Sequence, residues 1–268
     1  MMRRRSLARF LPLFVLLALL AMVLSGCDVD TPQNTLNPEG DVAKKQRDMF
    51  YLAMWPALGI MILVEGAIVA FLIRFRRRKG DGVPKQTHGN TPLEIGWTIL
   101  PAIFIVAVVG IPMLPVLFDI GRAPKDTAYP IIVEGQQFTW VFNYPEIIKK
   151  ADGKALSTFD EIHIPTKKEI GLTITSIDVI HSFGIPRIAG TRDAVPGQEE
   201  LMWIKVDKPG TYHGQCRELC GIDHAGMLIT LIAHDQEDFD KWAKEAAAGV
   251  KRSTDSGDAA VSGGEGGE

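Results

Sequence analysis

Cysteine is scarce in this 268-residue chain, which has only Cys27, Cys216 and Cys220. So few thiols exclude a disulfide-stapled scaffold. No stretch repeats itself, no glycine-rich loop is built to cradle phosphate, and no basic patch suits a nucleic-acid backbone. The C-terminal tail lacks a Cys-x-x-Cys-His motif, so no covalently attached haem is expected in this chain. Neither sign of charge dominates: 29 Lys plus Arg face 32 Asp plus Glu, a formal net charge of -3. With 46% hydrophobic and 23% charged residues, the composition excludes a disordered chain, a collagen and a coiled-coil rod. The length allows one large domain, or a smaller domain with membrane spans.

Apolar residues gather in three runs near the N-terminus. The first 26 residues hold Arg3, Arg4, Arg5 and Arg9, no acids, and an apolar stretch from Phe10 to Leu24. A basic start, an apolar middle and small residues before a cut form a secretory signal. Leu24-Ser25-Gly26-Cys27 resembles a bacterial lipobox, which implies cleavage before Cys27 and its lipidation; the alternative is an uncleaved first membrane helix. The other two runs are Met49–Ile73, with Glu65 its one charge, and Ile95–Phe118, with none. Each exceeds the roughly 20 residues that cross about 30 Å of hydrocarbon. Between them lie Arg74, Arg76, Arg77, Arg78, Lys79 and Lys85, which place that loop in the cytoplasm and both flanks outside. Trp55 and Trp97 suit near-interfacial positions, and Pro101, Pro112 and Pro115 predict kinks or packing against other helices. Glu65 is either a functional group at mid-membrane or a protonated acid bonded to a neighbouring helix; both readings imply a partner.

Residues 119–250 carry 14 basic and 20 acidic side chains, a net charge of -6. Strands are predicted at Ile131–Val133, Phe138–Phe142, Glu161–Ile164, Ile170–Ile177, Leu201–Val206 and Met227–Ile232. Turn signals Asp152-Gly153, Pro196-Gly197 and Pro209-Gly210 punctuate them. Many short strands at this spacing suggest a Greek-key sandwich or barrel. A single amphipathic helix, Glu237–Ala248, closes the domain. The predicted organisation is a signal peptide at 1–26, an exported segment at 27–47, a transmembrane hairpin at 48–120, an all-β domain at 121–250 and a disordered tail at 251–268.

The chemistry is concentrated in Cys216-Arg217-Glu218-Leu219-Cys220-Gly221-Ile222-Asp223-His224-Ala225-Gly226-Met227. Upstream, Asp178-Val179-Ile180-His181-Ser182-Phe183 supplies another imidazole. Thiolates and a thioether with imidazoles favour copper, whereas zinc would accept the Cys and His residues but has no use for Met227. Two thiolates can bridge two copper ions, with one His per ion and weak outer ligands completing each. Three other readings stand beside copper: zinc, a Cys216–Cys220 disulfide in an exported domain, and packing along one helix face. Gly214, Gly221 and Gly226 argue against the helix. The disulfide leaves His181, His224 and Met227 without a role.

These motifs closely resemble the cytochrome c oxidase subunit II family, the haem-copper oxidase subunit with the dinuclear CuA centre. Gly214-Gln215-Cys216 through Met227 matches its copper loop. Asp178–Phe183 with Asp193-Ala194-Val195-Pro196-Gly197 matches the upstream ligand segment, and Thr91-Pro92-Leu93-Glu94-Ile95-Gly96-Trp97-Thr98 the start of the second span. The resemblance implies a two-helix transmembrane hairpin plus an all-β cupredoxin-like Greek-key domain. It implies that Cys216 and Cys220 bridge both coppers, that His181 and His224 each bind one, and that Met227 and the Glu218 carbonyl are weak ligands. The Glu218 side chain would help hold a magnesium ion shared with subunit I. Glu94 would stand at the cytoplasmic mouth of a proton pathway, or be an ordinary interfacial acid. The implied activity is electron transfer from cytochrome c to haem in subunit I, where oxygen is reduced to water and protons are translocated. Implied partners are subunit I, other oxidase subunits, a basic donor such as cytochrome c, and membrane lipid; no nucleic acid is expected. The implied location is the bacterial inner membrane, with the copper domain on the periplasmic or extracellular side.

The chain departs from the family at the tryptophan through which electrons usually arrive, which aligns with Phe138; Phe138 or Trp140 would serve, or the donor docks differently. The usual lysine after the upstream His becomes Thr191, with Arg192 beside it. Three rival readings fit the residues less well. A copper chaperone or thiol-disulfide protein for oxidase assembly is disfavoured by the hairpin and Met227. A quinol-oxidase subunit II, which has lost its copper, is disfavoured by the full ligand set. Nitrous-oxide reductase would need a propeller domain for which the chain has no room.

Overall fold

The computed structural model describes residues 31–77, 82, 83, 86, 88–126, 128–149 and 153–249, without the side chains of Glu146 and Ile147. The predicted signal peptide, Cys27, the loop residues Arg78, Lys79 and Lys85, and the tail after Val250 lie outside the described residues.

The apolar run at Met49–Ile73 lies inside a 34-residue helix, α1 (Asp41–Arg74). The second run forms α2 (Thr91–Ile105), a π turn at Val106–Gly110 and α3 (Ile111–Ile120). The π turn falls directly before Pro112, which lacks an N–H and whose ring crowds the carbonyl four residues back. Within α2 and α3 no residue is buried, so their apolar faces suit lipid or other helices. Glu65 is exposed in the C-terminal half of α1. Asn90 caps α2: its Oδ1 accepts from the Leu93 amide at 3.3 Å, while Glu94 Oε1 accepts from the Asn90 amide at 3.0 Å.

The rest is a sandwich of two five-stranded sheets. One orders β3 (Ala155–Phe159), β2 (Thr139–Lys149), β1 (Tyr129–Gln136), β5 (Ile170–Ser176) and β8 (Glu200–Ile204). The other orders β4 (Glu161–Pro165), β10 (Leu228–His234), β9 (Gly210–Cys216), β6 (His181–Gly184) and β7 (Thr191–Ala194). Most neighbours are antiparallel, but β1 pairs with β5 and β4 with β10 in parallel. Alternation sets the faces: Ile229, Leu231 and Ala233 of β10 point inward against Val133, Phe142 and Leu172. The outer face of β4 is covered by α4 (Gln236–Ala247), whose Trp242 stacks on His163 at 4.1 Å. The architecture is thus two apolar helices plus an all-β domain of cupredoxin-like type, as the sequence predicts.

Two features were not expected. Phe138 does not begin a strand: Gln136 pairs with Thr139, leaving Gln137 and Phe138 as the two-residue turn between β1 and β2. Helix α1 starts two turns before its apolar run and is rooted in the sandwich. The Glu39 and Gly40 amides donate to the Arg187 carbonyl at 2.8 and 3.0 Å, and Asp41 N donates to the Lys205 carbonyl at 3.0 Å. Val42 and Ala43 belong to the buried set. At the other end of the hairpin, Trp203 of β8 donates its indole N–H to the Asp119 carbonyl at 3.0 Å, with Lys45 and Arg122 over its ring at 5.0 and 4.3 Å. Lys45 also pairs with Asp119.

Candidate metal centre

Two neighbouring strands and one loop build the site. Strand β9 ends at Cys216, and its amide donates to the Met227 carbonyl at 2.9 Å, closing the base of the loop. The Arg217 amide donates to the Ser182 carbonyl at 2.9 Å, tying the loop to β6 just past His181. Gly221 takes φ +146°, a conformation that favours glycine. The 3-10 turn His224–Gly226 then delivers His224 and Met227.

Six donors gather there in two halves. Cys216 Sγ lies 3.9 Å from His181 Nδ1 and 3.3 Å from the Glu218 carbonyl oxygen. Cys220 Sγ lies 3.6 Å from His224 Nδ1 and 3.8 Å from Met227 Sδ. The two sulfurs are free thiols 4.0 Å apart. Ligand atoms of His181, Cys216 and Cys220 all fall within 4.8 Å of one another. His181, Cys216, Cys220 and Met227 are buried. Burial, then the neighbouring Cys216 thiol, push the Cys220 thiol up to about 11; a bound cation would reverse that cost and favour the thiolate. A soft, two-centred donor set of this kind fits two copper ions, one per half.

Supporting contacts fix His181. Its Nε2 lies 2.8 Å from Asp178 Oδ1, so the ring presents Nδ1 to the sulfurs. Burial favours a neutral Asp178, but the Gln137 amide, His181 and the Val179 amide outweigh it and hold the carboxyl at about 2. Beneath the ring lies Gly135, where a Cβ would stand 2.8 Å from His181 Cδ2. Trp140 is fully buried and meets His181 edge-to-face at 5.9 Å. Phe138 is half-buried above Gly221, so of the two aromatic candidates it is the one that reaches the surface. The Glu218 residue is exposed. Glu94 is not part of this cluster; it sits at the start of α2. Sequence reasoning assigned no role to Gly135, Gln137 or Asp178, although the Asp178–His181 spacing of three was a signal for a carboxylate that orients an imidazole.

Comparison with known proteins gives a consistent pattern. The profile of "Cytochrome C oxidase subunit II, periplasmic domain" matches residues 138–234, and that of "Cytochrome C oxidase subunit II, transmembrane domain" matches residues 39–116. Cytochrome c oxidase subunit 2 of Alkalihalophilus pseudofirmus is 33% identical, over 94% of this chain and 72% of that protein. Quinol oxidase subunit 2 of Bacillus cereus is 31% identical, over 90% of this chain and 79% of its own length. The crystal structure of the periplasmic domain of subunit II of cytochrome oxidase (CoxB) of Bradyrhizobium japonicum is 31% identical. It covers 47% of this chain and 96% of that domain, with a TM-score of 0.42.

Proposed function

The chain belongs to the cytochrome c oxidase subunit II family, and from that premise we propose that it carries electrons from cytochrome c to haem in subunit I through a dinuclear copper centre. As a family member it is a membrane component of a terminal oxidase complex and a partner of subunit I. The observation that carries the copper reading is the pair of free thiols 4.0 Å apart, each with its own imidazole and weak donor. Cys216, Cys220, His181 and His224 would hold the two ions, with Met227 and the Glu218 carbonyl as weaker donors. Bound there, the two coppers supply a one-electron acceptor and donor.

The protein's part is to hold these donors still. Asp178 keeps the His181 tautomer, the Cys216–Met227 backbone bond closes the loop, and the buried core excludes water. Phe138 is the aromatic that faces the donor, and Trp140 is an interior support. The net acidic domain attracts a basic donor. The Glu218 side chain helps hold magnesium shared with subunit I, and Glu94 stands near a proton-pathway mouth. Residues 1–26 form a signal removed before a lipidated Cys27, the hairpin spans the bacterial inner membrane with its basic loop inside, and the copper domain faces out. Oxygen reduction and proton translocation take place in the complex, mostly in subunit I. A quinol-fed role leaves the thiols, His181, His224 and Met227 unexplained and is the weaker reading, as is the chaperone.

The test is copper loading of the full chain in detergent. Two coppers per chain with a delocalised mixed-valence EPR signal are expected. One copper, zinc alone, or a Cys216–Cys220 disulfide after loading would overturn the assignment.

A further inference from the structure

Gln137 occupies the tight turn between β1 and β2, exposed at the surface, yet it bonds in two opposite directions. Its backbone amide donates to Asp178 Oδ2 at 2.7 Å. Its side-chain Nε2 donates to the Cys220 carbonyl at 2.6 Å. The other carboxylate oxygen of Asp178 lies 2.8 Å from His181 Nε2 and accepts from the Val179 amide at 2.6 Å. His181, Asp178, Gln137 and Cys220 therefore form one hydrogen-bonded chain around the outside of the site. It joins the His181–Cys216 half to the Cys220–His224–Met227 half without passing through the donor atoms.

The aromatic ring next in sequence closes the same contact. At Gly221 an added Cβ would stand 2.8 Å from Phe138 Cε1 and Cζ and 3.0 Å from Gln137 Nε2. The loop passes directly under the turn, and glycine makes the approach possible. A hydrogen bond from an exposed side chain to the carbonyl of the residue that carries a buried sulfur has little to do with core packing. Its effect is to fix the distance between the turn and the loop.

We propose that Gln137 is a positioning residue that latches the Phe138 turn onto the Cys220 loop, with Asp178 as its anchor. This rests on the copper reading above. Through the latch, a surface aromatic and the buried donor set move as one body, so the path from the surface to the centre keeps its length, and the Cys220 sulfur keeps its place on reduction.

The test compares the full chain in detergent, with and without copper, as wild type, Gln137→Glu and Gln137→Lys. Glutamate keeps the shape and removes the donor; lysine keeps a donor. In Gln137→Glu, hydrogen exchange at residues 136–139 and 217–222 should rise about tenfold, the scale of one lost hydrogen bond. The copper-loaded variant should show a shifted reduction potential and altered EPR hyperfine splitting with both coppers retained, or should lose copper. Gln137→Lys should keep hydrogen exchange at both segments near wild type and retain both coppers. Wild-type exchange and spectra in a folded Gln137→Glu would overturn the latch, as would Gln137→Lys behaving like Gln137→Glu. If the wild type takes up no pair of coppers, the copper reading fails, and exchange in the metal-free chain still decides the latch by itself.

Discussion

Gly135 sets how far the His181 ring can sink between the sheets. A methyl group at this position would lie 2.8 Å from Cδ2 and 3.0 Å from Cγ of a ring that is fully buried. That ring has no free direction of retreat, since Trp140 meets it edge-on at 5.9 Å and Asp178 holds Nε2 at 2.8 Å. Gly135→Ala should therefore displace His181 Nδ1 from Cys216 and destabilise the domain by about 1–3 kcal/mol, the usual range for overpacking. Copper titration and EPR of the variant should show a weakened or altered centre; a wild-type spectrum at full loading would contradict this account. The five side-chain donors were legible in the sequence because thiols, imidazoles and a thioether at close spacing have few other uses; the Glu218 carbonyl came only from the family resemblance. Gly135 and Gln137 were not, because their roles come from close approaches between segments distant in sequence, whereas Asp178 left a readable signal in its spacing of three from His181.

At the scale of elements, the weight falls on the joint between the hairpin and the sandwich. Arg122, just past α3, grips Glu169 at the start of β5 with two bonds of 2.9 and 2.8 Å, and the Lys125 amide adds a third at 2.8 Å. The Arg122 guanidinium, against the opposing effect of burial, brings the Glu169 carboxyl from the ordinary 4.5 down to about 2. A carboxyl depressed on folding contributes stability that is fully present above its unfolded value. That contribution is lost as pH falls through the folded one. Glu169→Gln should thus lower stability at pH 7 by about 1.5–3 kcal/mol, and the gap to wild type should narrow between about pH 4.5 and 2. Denaturant melts at pH 7 and pH 3 measure it; a gap that stays constant, or widens in acid, would show that the pair does not stabilise the joint. Strands such as β5 and β10, rich in Ile, Leu and Thr with regular alternation, were legible. β3, β6, β7 and β9 were not: β6 and β7 have four residues each, and β9 carries two glycines and mostly polar side chains. Their conformation is imposed by the strands they pair with, on both sides for β6 and β9 and on one side for the edge strands β3 and β7.

For the molecule as a whole, the length of α1 links membrane and sandwich. Thirty-four residues rise about 51 Å at 1.5 Å each, well beyond about 30 Å of hydrocarbon. The surplus does not hang free but enters the domain at Gly40–Ala43, so one continuous helix joins the apolar span to the sandwich that carries the donor cluster. Hydropathy starts this helix too late, at Met49, because Lys44, Lys45, Arg47 and Asp48 break the apolar run and the buried pair Val42–Ala43 is too short to form a pattern. Val42 is 3% exposed, and truncating it removes two methyl groups from the core. Val42→Ala in the full chain should cost about 2 kcal/mol, from lost transfer energy plus the cavity left behind. Urea unfolding followed by the fluorescence of buried Trp140 and Trp203 should show the midpoint moving down with the slope unchanged. A domain expressed from residue 119 onward, which lacks the whole α1 root, should unfold at lower urea still. If both melt with the full chain, α1 is a tether rather than a part of the sandwich, and the joint at Asp119–Arg122 alone would fasten the hairpin to the domain.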